Sequence, residues 1–182
     1  MNDYAALLRG IAPSNPNMRN EKLRAVFEGL GFTNVGSVVA SGNIVFRAPE
    51  TDEAELEDRI QEALHRELGI PGGTILRNLP DLRALLDRDP FDGLVHQRTT
   101  YLTVTFFKHR IEAPALSDDP LTRVIGYDED ARAFLAVVDN STPRTPDYMA
   151  WLDKAYGKDI TTRTWLTVQR IVKKMESWPP AA

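Results

Sequence analysis

The chain of 182 residues has no cysteine, only three histidines, and no apolar run near the ~20 residues that span a bilayer. Lack of cysteine rules out a disulfide framework, a thiolate metal site and a cysteine nucleophile. Met1-Asn2-Asp3-Tyr4 lacks the basic segment and apolar stretch of a secretory leader. The formal charge is −4 and the basic residues are scattered, so no broad electrostatic footprint exists for nucleic acid or an anionic membrane. The sequence predicts a soluble cytoplasmic protein without a membrane partner, and disfavours nucleic acid as a ligand.

Signatures of known chemistry are also missing. There is no phosphate loop, serine-hydrolase elbow, zincin histidine pair or calcium loop. His65, His96 and His109 stand alone, with no second ligand at metal-binding spacing, and read as surface histidines. Asp128-Glu129-Asp130 reads as the solvated tip of a hairpin rather than a cation site. No metal, no cofactor and no catalytic residue is assigned.

What is present is periodicity. Residues 4–8 form an apolar strand that stops at Arg9-Gly10 before a loop containing Pro13 and Pro16. Leu23, Val26, Phe27 and Leu30 recur at helical spacing, with Gly31 as the stop. Residues 35–40 and 44–46 read as two strands around Ser41-Gly42-Asn43. Thr51 or Asp52 caps a second helix, whose stripe is Leu56, Ile60, Ala63 and Leu64 and whose end is Gly69. Residues 74–77 add a strand. The order β-α-β-β-α-β predicts an α+β fold: antiparallel sheets with helices on one face, in a ferredoxin-like unit over residues 1–88.

Residues 89–182 read as a related, looser second unit within one compact domain. Leu82, Leu85 and Leu86 make a short helix that Asp89-Pro90 ends. Residues 101–107 alternate, with Leu102, Val104 and Phe106 inward and Thr103 and Thr105 outward, which predicts a half-buried strand. Residues 123–127 and 131–138 form a hairpin whose second strand is apolar on both faces, hence central. Tyr148, Trp151, Leu152 and Ala155 mark one closing helix, and Trp165, Val168, Val172 and Met175 another. The tail from Ser177 to Ala182, with Pro179-Pro180, is expected to fray.

Three polar clusters are candidate ligand contacts. Arg9 and Gly10 lie where the first strand ends, so the arginine can meet a phosphate or carboxylate while the glycine lets backbone approach. Ser41 and Asn43 flank a turn glycine. Thr161 or Thr162 is expected to be the N-cap of the last helix beside Arg163 and Trp165, giving an anion site from N–H groups, dipole and guanidinium together.

Leu7-Leu8-Arg9-Gly10-Ile11, the helix from Leu23 to Phe32, Ser41-Gly42-Asn43-Ile44-Val45-Phe46 and Thr161-Thr162-Arg163-Thr164-Trp165 with Thr167-Val168 together carry a resemblance. Over almost its whole length the chain resembles the bacterial domain of unknown function 1697 family. The resemblance implies a cytoplasmic α+β protein with two ferredoxin-like units, and no activity. Two departures stand out. Members follow Arg-Gly-Ile with an asparagine and a glycine pair, where this chain has Ala12-Pro13-Ser14-Asn15-Pro16, and proline offers no N–H to an anion. Members carry asparagines around the C-terminal tryptophan, where this chain has Thr164 and Leu166.

Three functions remain open. The first is binding of a small anionic or phosphorylated ligand through Arg9, Asn43, Thr162 and Arg163. The second is an enzyme using the same pocket, which needs a positioned base that the sequence does not single out. The third is a module that self-associates or binds a protein through an exposed strand at residues 101–107, which leaves a homo-oligomer open.

Overall fold

The computed structural model describes residues 1–112, 117–144 and 146–180. Tyr4, Ala6 and Leu8 share one face of β1 (Asn2–Leu8), and two helices cover that face. These are α1 (Asn20–Gly29), which supplies Leu23, Val26 and Phe27, and α2 (Glu53–Leu68), which supplies Leu56, Ile60, Ala63 and Leu64. Asp52 caps α2 by accepting from the Glu55 amide at 3.1 Å, and Gly69 ends it at φ +68°. Between the helices run β2 (Thr33–Ser37) and β3 (Asn43–Ala48), and β4 (Thr74–Asn78) follows α2. The four strands pair antiparallel in the order β2-β3-β1-β4. Phe46 of β3 lies at the centre of the core, its ring 4.5 Å from Phe32, 5.4 Å from Phe27 and 5.6 Å from Tyr4.

α3 (Leu79–Asp87) continues directly from β4. The second unit then has β5 (Thr100–Phe107), β6 (Thr122–Asp128), β7 (Ala133–Asp139), α4 (Tyr148–Tyr156) and β8 (Ile160–Thr164), which runs straight into α5 (Trp165–Glu176). Its sheet order is β6-β7-β5-β8, the same as the first once each unit's strands are counted from its own start. The described residues between β5 and β6 contain no helix, which is what makes this unit looser. By internal contacts the units are Met1–Leu82 with Arg170–Ala182, and Arg83–Gln169.

Three expectations change. Residues 102–107 are all buried, and β5 lies between β7 and β8. The threonine face is covered by α4, not solvated, and this strand offers no edge to a second chain. Residues 160–164 form a strand paired with β5, where the sequence suggested only the start of a helix. The tail is anchored at Trp178 and Pro179: Arg47 donates to the Pro179 carbonyl at 2.9 Å and its guanidinium stands 5.7 Å from the Trp178 ring, while Asp3 holds the same guanidinium at 2.6 and 3.1 Å. Ala181 and Ala182 lie outside the described residues.

β4 is an edge strand, and α2 occupies its outward hydrogen-bonding groups. Gln61 Oε1 accepts from the Thr74 amide at 3.2 Å, Glu57 Oε1 from the Leu76 amide at 2.9 Å, and Glu53 Oε1 from the Asn78 side-chain amide at 2.8 Å. Glu57 is 3% exposed. Replacing it with alanine leaves a buried amide without its acceptor, so Glu57→Ala is expected to cost about 1–3 kcal/mol in urea unfolding. Glu57→Gln keeps an acceptor oxygen and should cost less; equal losses for the two would count against the edge bond as the cause.

Candidate functional site

The N-terminal motifs are built into strand ends. The Asn43 side chain, 1% exposed, donates to the Val38 carbonyl at 2.9 Å and to Ser41 Oγ at 3.1 Å. Gly42 has φ +83°, its carbonyl accepts from the Leu8 amide at 2.9 Å, and a Cβ there would stand 2.6 Å from Ile11 Cγ1. The Arg9 amide donates to the Gly73 carbonyl at 3.0 Å, and Gly10 is exposed at φ +76°. Ser41-Gly42-Asn43 and Arg9-Gly10 therefore fasten the ends of β1, β3 and β4. These four candidates belong to the first unit, whereas Thr161, Thr162, Arg163 and Trp165 belong to the second.

In the second unit the cap is Thr164, not Thr161 or Thr162. Thr164 Oγ1 accepts from the Thr167 amide at 3.3 Å and lies 3.0 Å from Thr167 Oγ1. Because Thr161 and Thr162 are strand residues, alternation sends them to opposite faces. Thr162 Oγ1 meets Thr105 Oγ1 at 2.9 Å on the face that α4 covers. Thr161, 5% exposed, shares the other face with Arg163, whose Nη1 donates to Thr161 Oγ1 at 2.5 Å and to the Thr162 carbonyl at 3.0 Å. Desolvation pushes the Arg163 guanidinium down to about 10. Trp165 is 6% exposed and packs edge-on against Phe91 at 5.2 Å, as a core anchor.

A cleft of about 320 Å³ opens where the start of α4 meets β5 and β8, and Arg163 borders it. Thr103, Thr162 and Thr164 line its polar side, and Tyr101 and Met149, exposed at 38% and 53%, its apolar rim. Tyr148, 2% exposed, also lines it. The Tyr148 hydroxyl is buried and makes no well-formed hydrogen bond. Burial raises its pKa, and the nearby Thr105 and Thr103 hydroxyls oppose that rise. Sequence reasoning missed Tyr148, Thr103 and Thr105 as site residues. Helical spacing made Tyr148 a core residue, and strand alternation made the threonines a solvent face.

The other charged clusters have structural partners. Asp128 holds Arg88 at 2.6 and 2.9 Å and accepts from the Ala131 amide, so the acidic turn is pinned rather than open to a cation. Among the described residues no three His, Asp or Glu side chains gather as a metal site. No helix among them is long and apolar enough to cross a membrane.

Two antiparallel four-stranded sheets of matching strand order define a protein of repeated ferredoxin-like α+β units. The chain belongs to the family described as Protein of unknown function (DUF1697), whose profile matches residues 1–129. β8 and α5 lie beyond that stretch. The chain is similar in fold to the solved structure of the conserved bacterial protein SP0830 from Streptococcus pneumoniae. The two share 20% identity at a TM-score of 0.71, over 97% of this chain and 99% of the other. No curated protein matches the chain.

Two outcomes test this geometry. Thr164→Ala should cost about 1 kcal/mol in urea unfolding, the worth of a lost N-cap; an unchanged stability would move the cap elsewhere. Asp119 ties residues 121–122 to the approach of α4. Burial works to raise its pKa, but bonds from the Leu121 amide, the Thr122 hydroxyl and the Asp147 amide prevail and hold it below the ordinary 3.8. A depressed folded pKa adds stability above the ordinary value, lost as pH falls through the folded one. Asp119→Asn should therefore flatten the acid limb of a stability-versus-pH curve below about pH 4; a limb as steep as wild type would show that Asp119 contributes nothing there.

Proposed function

We propose that this protein binds a small anionic or phosphorylated ligand near the start of α5, in the cleft between α4 and the β5 and β8 strands, within a cytoplasmic setting that its cysteine-free composition suits. The observation that carries the reading is the Tyr148 hydroxyl, buried without a well-formed partner at a cleft lined by threonine hydroxyls. Burying a hydroxyl without compensation costs about 1–3 kcal/mol on mutational scales, and a ligand oxygen removes that cost. Arg163 lines the same cleft from β8, while its guanidinium is held on the strand's other face by Thr161 Oγ1 and the Thr162 carbonyl, so the threonine hydroxyls and Tyr148 are the groups that meet the anion. The apolar rim of Tyr101 and Met149 suits a ligand with a flat or aliphatic body behind its acidic group.

A thermal-shift screen against nucleotides, sugar phosphates and small carboxylates tests the reading. A ligand at ~100 times its dissociation constant adds about 2.7 kcal/mol to the folded state. The double variant Thr103→Val, Thr162→Val should abolish the shift. Tyr148→Phe should weaken it while leaving the unliganded protein at least as stable as wild type, because the hydroxyl makes no well-formed bond to lose and its burial cost is removed. Failure of every class to stabilise the wild type, or equal shifts in the two variants, would sink the proposal.

A further inference from the structure

The chain carries more acid than base, and several of its arginines stand against carboxylates: Arg47 on Asp3, Arg59 on Glu50 and Arg88 on Asp128. The last turns of α5 differ. Arg170, Lys173 and Lys174 form no ion pair among the described residues. Their spacing at i, i+3 and i+4 places them on one helical face. That face and residues 37–39 line an open, shallow groove of about 630 Å³. Ser37 on the groove wall accepts from Arg24 Nη1 at 2.7 Å, which holds its hydroxyl oxygen in place. All of these residues belong to the first unit.

Helix electrostatics account for part of this cluster only. Cations near a helix C-terminus gain from the dipole. Like charges at i, i+3 and i, i+4 repel one another. Neither effect concerns β2, yet β2 is shaped to receive the lysine. A Cβ on Gly36 would lie 3.1 Å from Lys174 Cε and 3.3 Å from Val45 Cγ2, so the missing side chain makes room for the Lys174 stem across the strand. Lys174 is thereby held over β2. Beside it Val39 holds φ +61°, which is costly for a β-branched residue, and its carbonyl accepts from Asn20 Nδ2 at 3.1 Å.

We propose that this groove binds a chain of two or three phosphates, carried by a nucleotide or by inorganic oligophosphate. Arg170 and Lys174 sit about 6 Å apart along the helix axis, one turn. A single carboxylate engages one or two such cations, whereas phosphates in line engage all three. The Ser37 hydroxyl supplies a further polar contact for a phosphate oxygen. The C-terminal dipole repels an anion, so affinity rests on side-chain charge and falls steeply with salt. The site shares no residue with the cleft beside α5's start and stands or falls independently of it.

Calorimetric titration of the full chain with inorganic tripolyphosphate and with ATP, at low and moderate sodium chloride, tests the site. Saturable binding that weakens with salt is expected. The double variant Lys173→Gln, Lys174→Gln removes two exposed charges worth about fivefold each at ~4 Å in water, so it should bind about twenty-fivefold more weakly. Gly36→Ala keeps every charge but displaces Lys174, and should weaken binding too. Arg163→Ala should leave it unchanged. Equal affinity for the two probes supports the site with inorganic oligophosphate as its ligand, and tighter ATP binding supports it with a nucleotide. The proposal is overturned by absent binding, by wild-type affinity in the double variant, by a loss confined to Arg163→Ala, or by equal competition from sulfate at matched ionic strength.

Discussion

Four residues of helix advance about 6.0 Å and two residues of strand about 6.6 Å, and this near match in rise lets α2 seal the edge of its sheet. Glu53, Glu57 and Gln61, four apart on the helix, bond at Asn78, Leu76 and Thr74, two apart on β4. An uncovered strand edge invites pairing with another chain. Here the amides of Thr74 and Leu76 are met by side chains instead, while the stripe of Leu56, Ile60 and Leu64 on the same helix buries against the sheet. One helix thus supplies both the apolar cover and the polar edge. The bonds and the stripe together run from Glu53 to Leu64 of the sixteen-residue α2, and α4 in the second unit has nine residues.

The two units share a second device. In each, the fourth strand passes into a helix without a loop, and the last strand residue is the cap: Asn78 Oδ1 accepts from the Asp81 amide at 2.9 Å, and Thr164 Oγ1 from the Thr167 amide at 3.3 Å. The residue before each cap is an arginine whose Nη1 donates to the carbonyl of the residue before it, Arg77 to Leu76 at 2.6 Å and Arg163 to Thr162 at 3.0 Å. A guanidinium stays charged, so where it is buried it must be given acceptors. Arg77 is fully buried and takes one from its own strand. This repeat lies in geometry rather than in letters, because Leu-Arg-Asn-Leu and Thr-Arg-Thr-Trp share only the arginine.

The first unit was legible because its signals are local. The Asp52 cap, the Gly69 stop and the stripes of α1 and α2 each follow from a few neighbouring residues. β8 was not legible, since Ile-Thr-Thr-Arg-Thr shows no apolar alternation and becomes a strand only through its ladder with β5. The same ladder decides the cap. Thr161, Thr162 and Thr164 are equally able by chemistry, and the choice falls on Thr164 because its pairing with Thr103 is the last rung. The tail is held by a demand elsewhere in the chain, the remaining donors of Arg47 after Asp3 is satisfied. Of the candidate site, Arg163 and Thr162 were visible as residues, but their separation onto two faces required the strand.

Register explains why a cleft lies in the second unit at this position. Tyr4 of β1 pairs with Phe46 and with the cap Asn78, and Thr103 of β5 pairs with Ala136 and with the cap Thr164, so the two sets are equivalent. In the first unit the stacked rings of Tyr4 and Phe46 fill the layer between sheet and helices, and the Tyr4 hydroxyl donates to the Glu50 carbonyl at 2.6 Å. In the second, a threonine and an alanine leave that volume to be filled from above, and the filler is Tyr148 of α4. Protein interiors pack densely, so replacing two rings by two small side chains opens space unless a neighbour collapses into it. Tyr148 enters the space without acquiring an acceptor comparable to the Glu50 carbonyl. The same substitution that opens the cleft therefore leaves a buried polar atom beside it.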